Sequence, residues 1–121
     1  MTASSDVPQP FEVRRENSDD VPIVTLAGEI DLRTCDTVSE ELAAVPPELP
    51  VVVDLCEVEF MDSSGLRVLL DEHVRRRRGV FIACAPQGPV QRLFVATKVA
   101  DAILRIYDTR TDAIAAARTD R

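Results

Sequence analysis

The chain has 121 residues, 45% of them hydrophobic, which fits one compact domain and leaves no room for a second catalytic lobe. Its formal net charge of −7 disfavours binding to nucleic acid or to an anionic membrane surface, because like charges repel at long range. No apolar run approaches the ~20 residues needed to cross a bilayer and no secretory signal is visible, so the expected location is cytoplasmic.

Acidic charge is concentrated near the start of the chain. Residues 1–41 contain ten acidic and three basic side chains, whereas the remaining residues hold eleven of each. A protein partner with basic groups is therefore favoured over a polyanion. The longest basic run, Arg75–Arg78, falls at the predicted C-terminal end of a helix, where the helix dipole favours cations, and we interpret it as solvent-exposed charge.

The first third of the chain predicts a tail, a hairpin and a helix. Residues 1–9 are polar and contain proline, which predicts a disordered tail. Phe11–Glu16 and Val21–Ala27 are extended segments separated by a polar, turn-like stretch, which predicts a hairpin. Apolar residues then recur every three or four positions until Pro46, and this spacing predicts an amphipathic helix. Its inward face would consist of Leu32, Cys35, Val38, Leu42 and Val45.

The middle of the chain predicts a strand, a loop and a second helix. Val51–Leu55 is a short β-branched run typical of a strand buried on both faces. Residues 57–65 are expected to form a loop, in which acidic residues are solvated. An apolar stripe at helical spacing follows. It consists of Leu66, Leu69, Leu70, His73 and Val74.

The last third alternates strands with helices. Val80–Cys84 predicts a strand, and Gly88 with Pro89 opens a helix. The inward face of that helix would consist of Val90, Leu93, Phe94 and Thr97. A strand at Ile103–Tyr107 and a closing helix at 109–118, with Ile114 inward, complete the chain. Strands that alternate with helices after a hairpin predict an α/β fold with a mostly parallel sheet.

Sequence signatures of common enzyme classes are absent. The chain has no glycine-rich phosphate loop, no GxSxG nucleophile motif and no HExxH metal motif. Its one histidine, His73, falls on the apolar stripe, and we interpret it as structural rather than catalytic. Neighbouring carboxylates such as Asp71 and Glu72 are expected to be solvated surface charge.

The cysteines predict neither a zinc site nor a disulfide framework. They are separated by gaps of 21 and 28 residues, with no CxxC motif among them. We expect reduced thiols and no metal or other cofactor, although a redox role is left open. The three residues are Cys35, Cys56 and Cys84.

The remaining candidate for function is Asp62-Ser63-Ser64-Gly65, between the predicted loop and the predicted second helix. A structural role would suffice, since aspartate and serine cap helices and glycine relaxes the backbone. A hydroxyl at a helix start is also suited to accept a phosphate, because free amide groups and the helix dipole favour negative charge. A phosphate would add about −1.5 to −2 charges and repel a docked partner. Without a base beside it, such a hydroxyl is a poor nucleophile.

These residues resemble the signature of STAS-domain proteins, and specifically of bacterial anti-sigma factor antagonists. The resemblance is carried by Val51–Leu70, VVVDLCEVEFMDSSGLRVLL, by the GEIDL turn at Gly28–Leu32, and by the passage Thr97–Tyr107. It implies a single STAS-like domain at residues 10–118, with a mixed, mostly parallel sheet, an opening hairpin and about four helices.

The resemblance also implies a cycle of partner switching. In this family the unphosphorylated antagonist binds an anti-sigma factor, which is a serine kinase, and so frees a sigma factor for transcription. The kinase phosphorylates the serine directly before the glycine, which releases the antagonist, and a serine phosphatase resets the cycle. The implied acceptor is Ser64, with Ser63 as the alternative, and the chain is a binding module rather than an enzyme. The implied partner-binding residues are Asp31, Asp62, Ser63, Ser64, Gly65 and Arg67.

Other hypotheses are left open. The domain could serve another assembly, such as a stressosome or a lipid transporter. A small nucleotide-binding or hydrolysing protein is a third hypothesis, disfavoured because no glycine-rich phosphate cradle is present. Arg67 stands where the family often has a small residue. It either pairs with a phosphate at Ser64 or changes partner choice, or it is an ordinary surface arginine.

Overall fold

An antiparallel hairpin opens the fold, as predicted. In this computed structural model, which describes residues 10–99 and 102–119, strand β1 (Glu12–Ser18) pairs with strand β2 (Val21–Ile30). The tail predicted at residues 1–9 lies outside the described residues.

Three parallel strands extend the sheet beyond β2, and each follows a helix. The strands are β3 (Val51–Met61), β4 (Val80–Ala83) and β5 (Arg105–Tyr107). The helices are α1 (Cys35–Ala43), α2 (Ser63–Arg75), α3 (Pro89–Ala96) and the closing α4 (Arg110–Thr119). The strand order is β1-β2-β3-β4-β5. The described residues thus confirm the predicted α/β fold with a mostly parallel sheet.

The helices cover the two faces of the sheet unequally. Helices α1, α2 and α3 pack on one face, where the main core contains Leu26, Leu42, Leu55, Leu69 and Phe94. Helix α4 packs on the other face through Ala113 and Ala117, which are fully buried. Ile114, the predicted inward residue, is only partly buried, because the two alanines occupy the line of closest approach.

Strand β3 continues through the segment predicted to be a loop. Residues 57–61 pair with residues 27–30 of β2. Two register shifts interrupt this ladder, and beside one of them Gly28 has a φ of 87°, a conformation that favours glycine. The loop prediction was wrong because these shifts break the alternation of apolar residues that identifies a strand.

Helix α1 begins three residues later than the apolar spacing predicted. The backbone oxygen of Asp31 accepts hydrogen bonds from the N–H groups of Thr34 and Cys35, at 3.1 and 2.8 Å, so a turn precedes the helix. Leu32, predicted to face the core, lies in this turn and is 78% exposed. The rest of the predicted inward face is buried: Cys35, Val38, Leu42 and Val45.

The basic run Arg75–Arg78, at the end of α2, is not all solvent-exposed, contrary to the prediction. Arg76 is 3% exposed and pairs at 3.1 Å with Glu72, which is also 3% exposed and not solvated as predicted. Val74, predicted to face inward, is 81% exposed. A spacing of four residues places Arg76 and Glu72 on one face of the chain, and their mutual neutralisation permits burial. The Arg76 guanidinium also donates to the backbone oxygens of Leu42, Val45, Pro46 and Leu49. It therefore ties the end of α2 to the end of α1.

The inward face predicted for α3 is confirmed except at its last residue. Val90 and Phe94 are buried and Leu93 is half-buried, whereas Thr97 is exposed. Helix α3 ends at Ala96, and the Thr97 hydroxyl donates to the backbone oxygen of Leu93 at 2.7 Å.

Candidate functional site

Strands β2 and β3 end side by side at the carboxyl edge of the sheet, and an aspartate follows each of them. Ile30 and Met61 are register partners, and Asp31 and Asp62 come next. The N–H of Asp62 donates to the backbone oxygen of Ile30 at 3.2 Å, which holds the two segments together beyond the strands. Parallel pairing therefore brings the GEIDL turn and the DSSG segment to one place.

Asp62 is the N-cap of α2. Its backbone is extended, with φ −104° and ψ −172°. Its Oδ1 accepts hydrogen bonds from the N–H groups of Ser64 and Gly65, at 2.9 and 3.3 Å. These bonds satisfy two amide groups that a helix start leaves without an intrahelical partner.

The same carboxylate oxygen also receives the Ser64 hydroxyl. Ser64 Oγ donates to Asp62 Oδ1 at 2.5 Å, a length typical of a hydrogen bond to a charged acceptor. The hydrogen bond from Ser64 holds the pKa of Asp62 below its ordinary value, and the amide groups of Gly65 and Ser64 act in the same direction. Asp62 is therefore ionised at neutral pH, and its carboxylate accepts the hydrogen bond from the candidate acceptor hydroxyl.

Gly65 is buried because the start of α2 passes close to the ends of β2 and β3. A Cβ atom here would lie 2.7 Å from Ile30 Cγ2 and 2.8 Å from Met61 Cγ. A larger residue would push the helix start away from the sheet. Gly65 therefore supports Ser64 from beneath and does not itself reach the surface.

Asp31 shapes the turn beside this helix start. Its Oδ1 accepts a hydrogen bond from the N–H of Arg33 at 2.9 Å, and its own N–H donates to Thr34 Oγ1 at 3.0 Å. The Thr34 hydroxyl in turn donates to the backbone oxygen of Glu29 at 3.0 Å. These bonds fix the turn that presents Leu32 to solvent.

An open groove of about 640 Å³ lies between α1 and α2. It brings together four of the six predicted partner-binding residues, namely Asp62, Ser63, Ser64 and Arg67, whereas Asp31 and Gly65 do not line it. We call it the α1–α2 groove. The sequence did not identify its other lining residues, because their proximity depends on how two helices pack. They are Leu32, Cys35, Asp36, Ser39, Val68 and Asp71.

The charges of the α1–α2 groove are mostly negative. It contains the carboxylates of Asp36, Asp62 and Asp71 and the single cation of Arg67. Arg67 is exposed and forms no ion pair with another residue of the described ranges. The groove therefore suits a partner that presents basic groups, in agreement with the charge of the whole chain.

His73 is not placed to act on Ser64. It lies nine residues later on the same helix, about 13 Å along the axis. Its Nδ1 accepts a hydrogen bond from the N–H of Val80 at 3.1 Å, which confirms the structural interpretation. Burial lowers the pKa of His73, and the positive charge of Arg105 adds to this effect.

The cysteines are free thiols. Cys35 and Cys84 are buried and Cys56 is exposed. Desolvation raises the pKa of Cys84 to about 11, and desolvation with a hydrogen bond to Asp54 raises that of Cys56 to about 12. Both are therefore protonated at neutral pH. In the ranges 10–99 and 102–119, no cluster of His, Cys, Asp and Glu side chains is arranged to hold a metal ion.

None of the helices in the described part of the chain is both long enough and apolar enough to cross a bilayer.

Comparison with known proteins identifies the family. Residues 12–113 match the model of the STAS domain. Over 116 residues the chain is 28% identical to the anti-sigma-F factor antagonist RsfB of Mycobacterium tuberculosis. The alignment covers 94% of this chain and 95% of that protein. Over 109 residues it is 31% identical to the anti-sigma F factor antagonist of Paenibacillus polymyxa, covering 86% of this chain and 92% of the relative.

A solved structure shows the same fold over nearly the whole chain. The crystal structure of an anti-sigma factor antagonist from Mycobacterium paratuberculosis superposes with a TM-score of 0.82 and 29% identity, covering 93% of this chain and 97% of that one. The chain therefore belongs to the STAS-domain family, among relatives that are anti-sigma factor antagonists.

Proposed function

We propose that the chain is an anti-sigma factor antagonist controlled at Ser64. In its unphosphorylated form it binds an anti-sigma factor that is a serine kinase, and so frees a sigma factor. Phosphorylation at Ser64 releases the antagonist, and a serine phosphatase restores the binding form. The protein acts in the cytoplasm as a binding module and kinase substrate, not as an enzyme.

The observation that carries this proposal is the position of Ser64. Its hydroxyl lies at the start of α2, on the wall of the α1–α2 groove, next to three carboxylates and the exposed Leu32. The relatives that bear the antagonist name cover nearly the whole chain, which supports the same role.

The electrostatics of the groove explain how one phosphate would act. A partner selected by an acidic groove presents positive charge and close apolar contacts to it. A phosphate at Ser64 adds about −1.5 to −2 charges and three bulky oxygens at that contact. The start of α2 tolerates this charge because the positive end of the helix dipole favours anions. We therefore expect Ser64 phosphorylation to disrupt docking without unfolding the domain.

A kinase assay tests the proposal. Each anti-sigma factor kinase of the same cell is incubated with the chain and ATP, the intact mass is measured, and the modified residue is mapped. We expect one phosphate, on Ser64, from one kinase. Ser63→Ala should be phosphorylated like the wild type, and Ser64→Ala should take no phosphate.

Two results would contradict the proposal. Full phosphorylation of Ser64→Ala would move the acceptor to Ser63 or elsewhere. Absence of phosphate with every kinase would instead favour a STAS interaction module of another assembly, such as a stressosome or a lipid transporter.

A further inference from the structure

We propose that Asp62 selects Ser64 rather than Ser63 as the phosphate acceptor, by orienting its hydroxyl and accepting its proton during phosphoryl transfer. This inference rests on the proposed function. Among the described residues, the Ser64 hydroxyl makes one hydrogen bond, to Asp62 Oδ1 at 2.5 Å. The Ser63 side chain is exposed and forms no hydrogen bond within the same ranges.

The Asp62 carboxylate is itself held in place. Its Oδ1 is bound by the N–H groups of Ser64 and Gly65, so the carboxylate cannot rotate away without leaving two amide groups unpaired. Gly65 in turn fits against Ile30 and Met61, with no space for a side chain. The hydroxyl, the carboxylate and the helix start therefore form one preorganised unit that is fixed to the sheet.

This geometry suits the chemistry of the transfer. With the hydroxyl proton directed at Asp62, the lone pairs of Ser64 Oγ are free to face a donor phosphate in the groove. Oγ attacks the γ-phosphorus of the nucleoside triphosphate bound by the kinase, and an O–P bond forms. The bond from that phosphorus to the bridging oxygen breaks, and its electron pair leaves with the nucleoside diphosphate. The hydroxyl proton passes to Asp62 Oδ1 and then to water.

If solvent accessibility alone decided which serine is phosphorylated, the acceptor would be Ser63 and not Ser64. Ser63 is exposed, whereas Ser64 is half-buried, so a kinase that chose the more accessible hydroxyl would modify Ser63. A base within hydrogen-bond distance activates a hydroxyl that is otherwise a weak nucleophile. Only Ser64 has such a group beside it within the described residues.

The test measures how fast the anti-sigma factor kinase phosphorylates the Asp62→Asn chain and the wild-type chain. Asparagine caps helices about as well as aspartate, so the fold should be retained, but its amide is not a base. With the variant chain at a concentration that saturates the kinase, we expect the turnover number for phosphorylation at Ser64 to fall about 100-fold. This lies within the usual contribution of a positioned base. The fraction of phosphate mapped to Ser63 should rise.

Asp112→Asn is the matched control, because it removes one exposed carboxylate from α4, which packs on the opposite face of the sheet. Its turnover should equal that of the wild type. Circular dichroism and thermal unfolding verify that both variants are folded. If Asp62→Asn does not fold, Asp62→Ser, which also caps helices without a carboxylate, replaces it with the same expectation.

The outcomes separate this inference from the proposed function. Phosphorylation of Asp62→Asn at the wild-type turnover overturns the inference alone. A change confined to KM also overturns it, because Asp62 would then act only in docking. A wild-type chain that takes no phosphate overturns both the proposed function and the inference.

Discussion

At the scale of single residues, Ser64 combines a structural contact with the proposed regulation. We predict that Ser64→Ala is destabilised by at most about 1 kcal/mol, because it loses one side-chain hydrogen bond while Asp62 still caps the helix. It should bind the cognate anti-sigma factor constitutively, since no phosphate can be added. Urea unfolding and a binding titration measure the two effects. Ser64→Glu should bind more weakly than Ser64→Ala, and equal affinities would place the interface elsewhere.

His73 gives the domain a dependence on pH that can be isolated, because it is the only histidine. Burial lowers its pKa in the folded protein, whereas in the unfolded chain the pKa is about 6.5. Below pH 6.5 the unfolded state therefore binds a proton that the folded state excludes, so stability is lost as the pH falls. We predict that the wild type loses more stability between pH 7.5 and 5.0 than His73→Gln does. Urea unfolding at both pH values measures these losses, and equal losses of stability in the two proteins would contradict the prediction.

At the scale of elements, Arg76 connects the two helices that form the walls of the groove. It binds four backbone oxygens, one in α1 and three in the segment that follows it, and pairs with Glu72. We predict that Arg76→Met lowers the free energy of unfolding by about 3–5 kcal/mol, because it leaves a buried carboxylate and several carbonyl groups unpaired. Arg77→Met, at an exposed neighbour, should change it by less than about 0.5 kcal/mol. If denaturant unfolding gave the same free energy change for Arg76→Met and Arg77→Met, the buried contacts of Arg76 would not be stabilising.

The turn before α1 presents an apolar contact for a partner. Leu32 is 78% exposed at the α1–α2 groove, so Leu32→Ser should change stability by less than about 0.5 kcal/mol. We predict that it weakens binding to the anti-sigma factor at least about tenfold, because an exposed leucine becomes buried on docking. Val74→Ser is the matched control: Val74 is 81% exposed but does not line the groove. Similar affinities for both variants would exclude this groove as the interface.

At the scale of the whole molecule, local patterns in the sequence predict the architecture well. The hairpin, the alternation of strands and helices and most buried faces follow from apolar spacing, and the structure confirms them. Two of the exceptions share one cause, which is contact between distant segments. The end of β3 is a strand because β2 pairs with it, and Arg76 is buried because α1 supplies carbonyl groups. Spacing within one segment does not report such contacts.

The candidate site was likewise predictable where it depends on local sequence and not where it depends on the packing of distant segments. The DSSG segment predicts a helix cap, and Asp62 is that cap. The groove could not be predicted, because it depends on the packing of α1 against α2 and on the turn that exposes Leu32. The hydrogen bond from Ser64 to Asp62 also depends on a side-chain conformation that residue types alone do not specify.

The central claim is that a phosphate on Ser64 switches partner binding. The most direct test is to measure the Kd for the cognate anti-sigma factor of two forms of the full chain, unmodified and phosphorylated at Ser64, under identical salt conditions. We predict that the unmodified form binds and that phosphorylation weakens binding by roughly 100-fold, about 2.7 kcal/mol. Equal affinity of the two forms, with the phosphate confirmed on Ser64, would contradict the account.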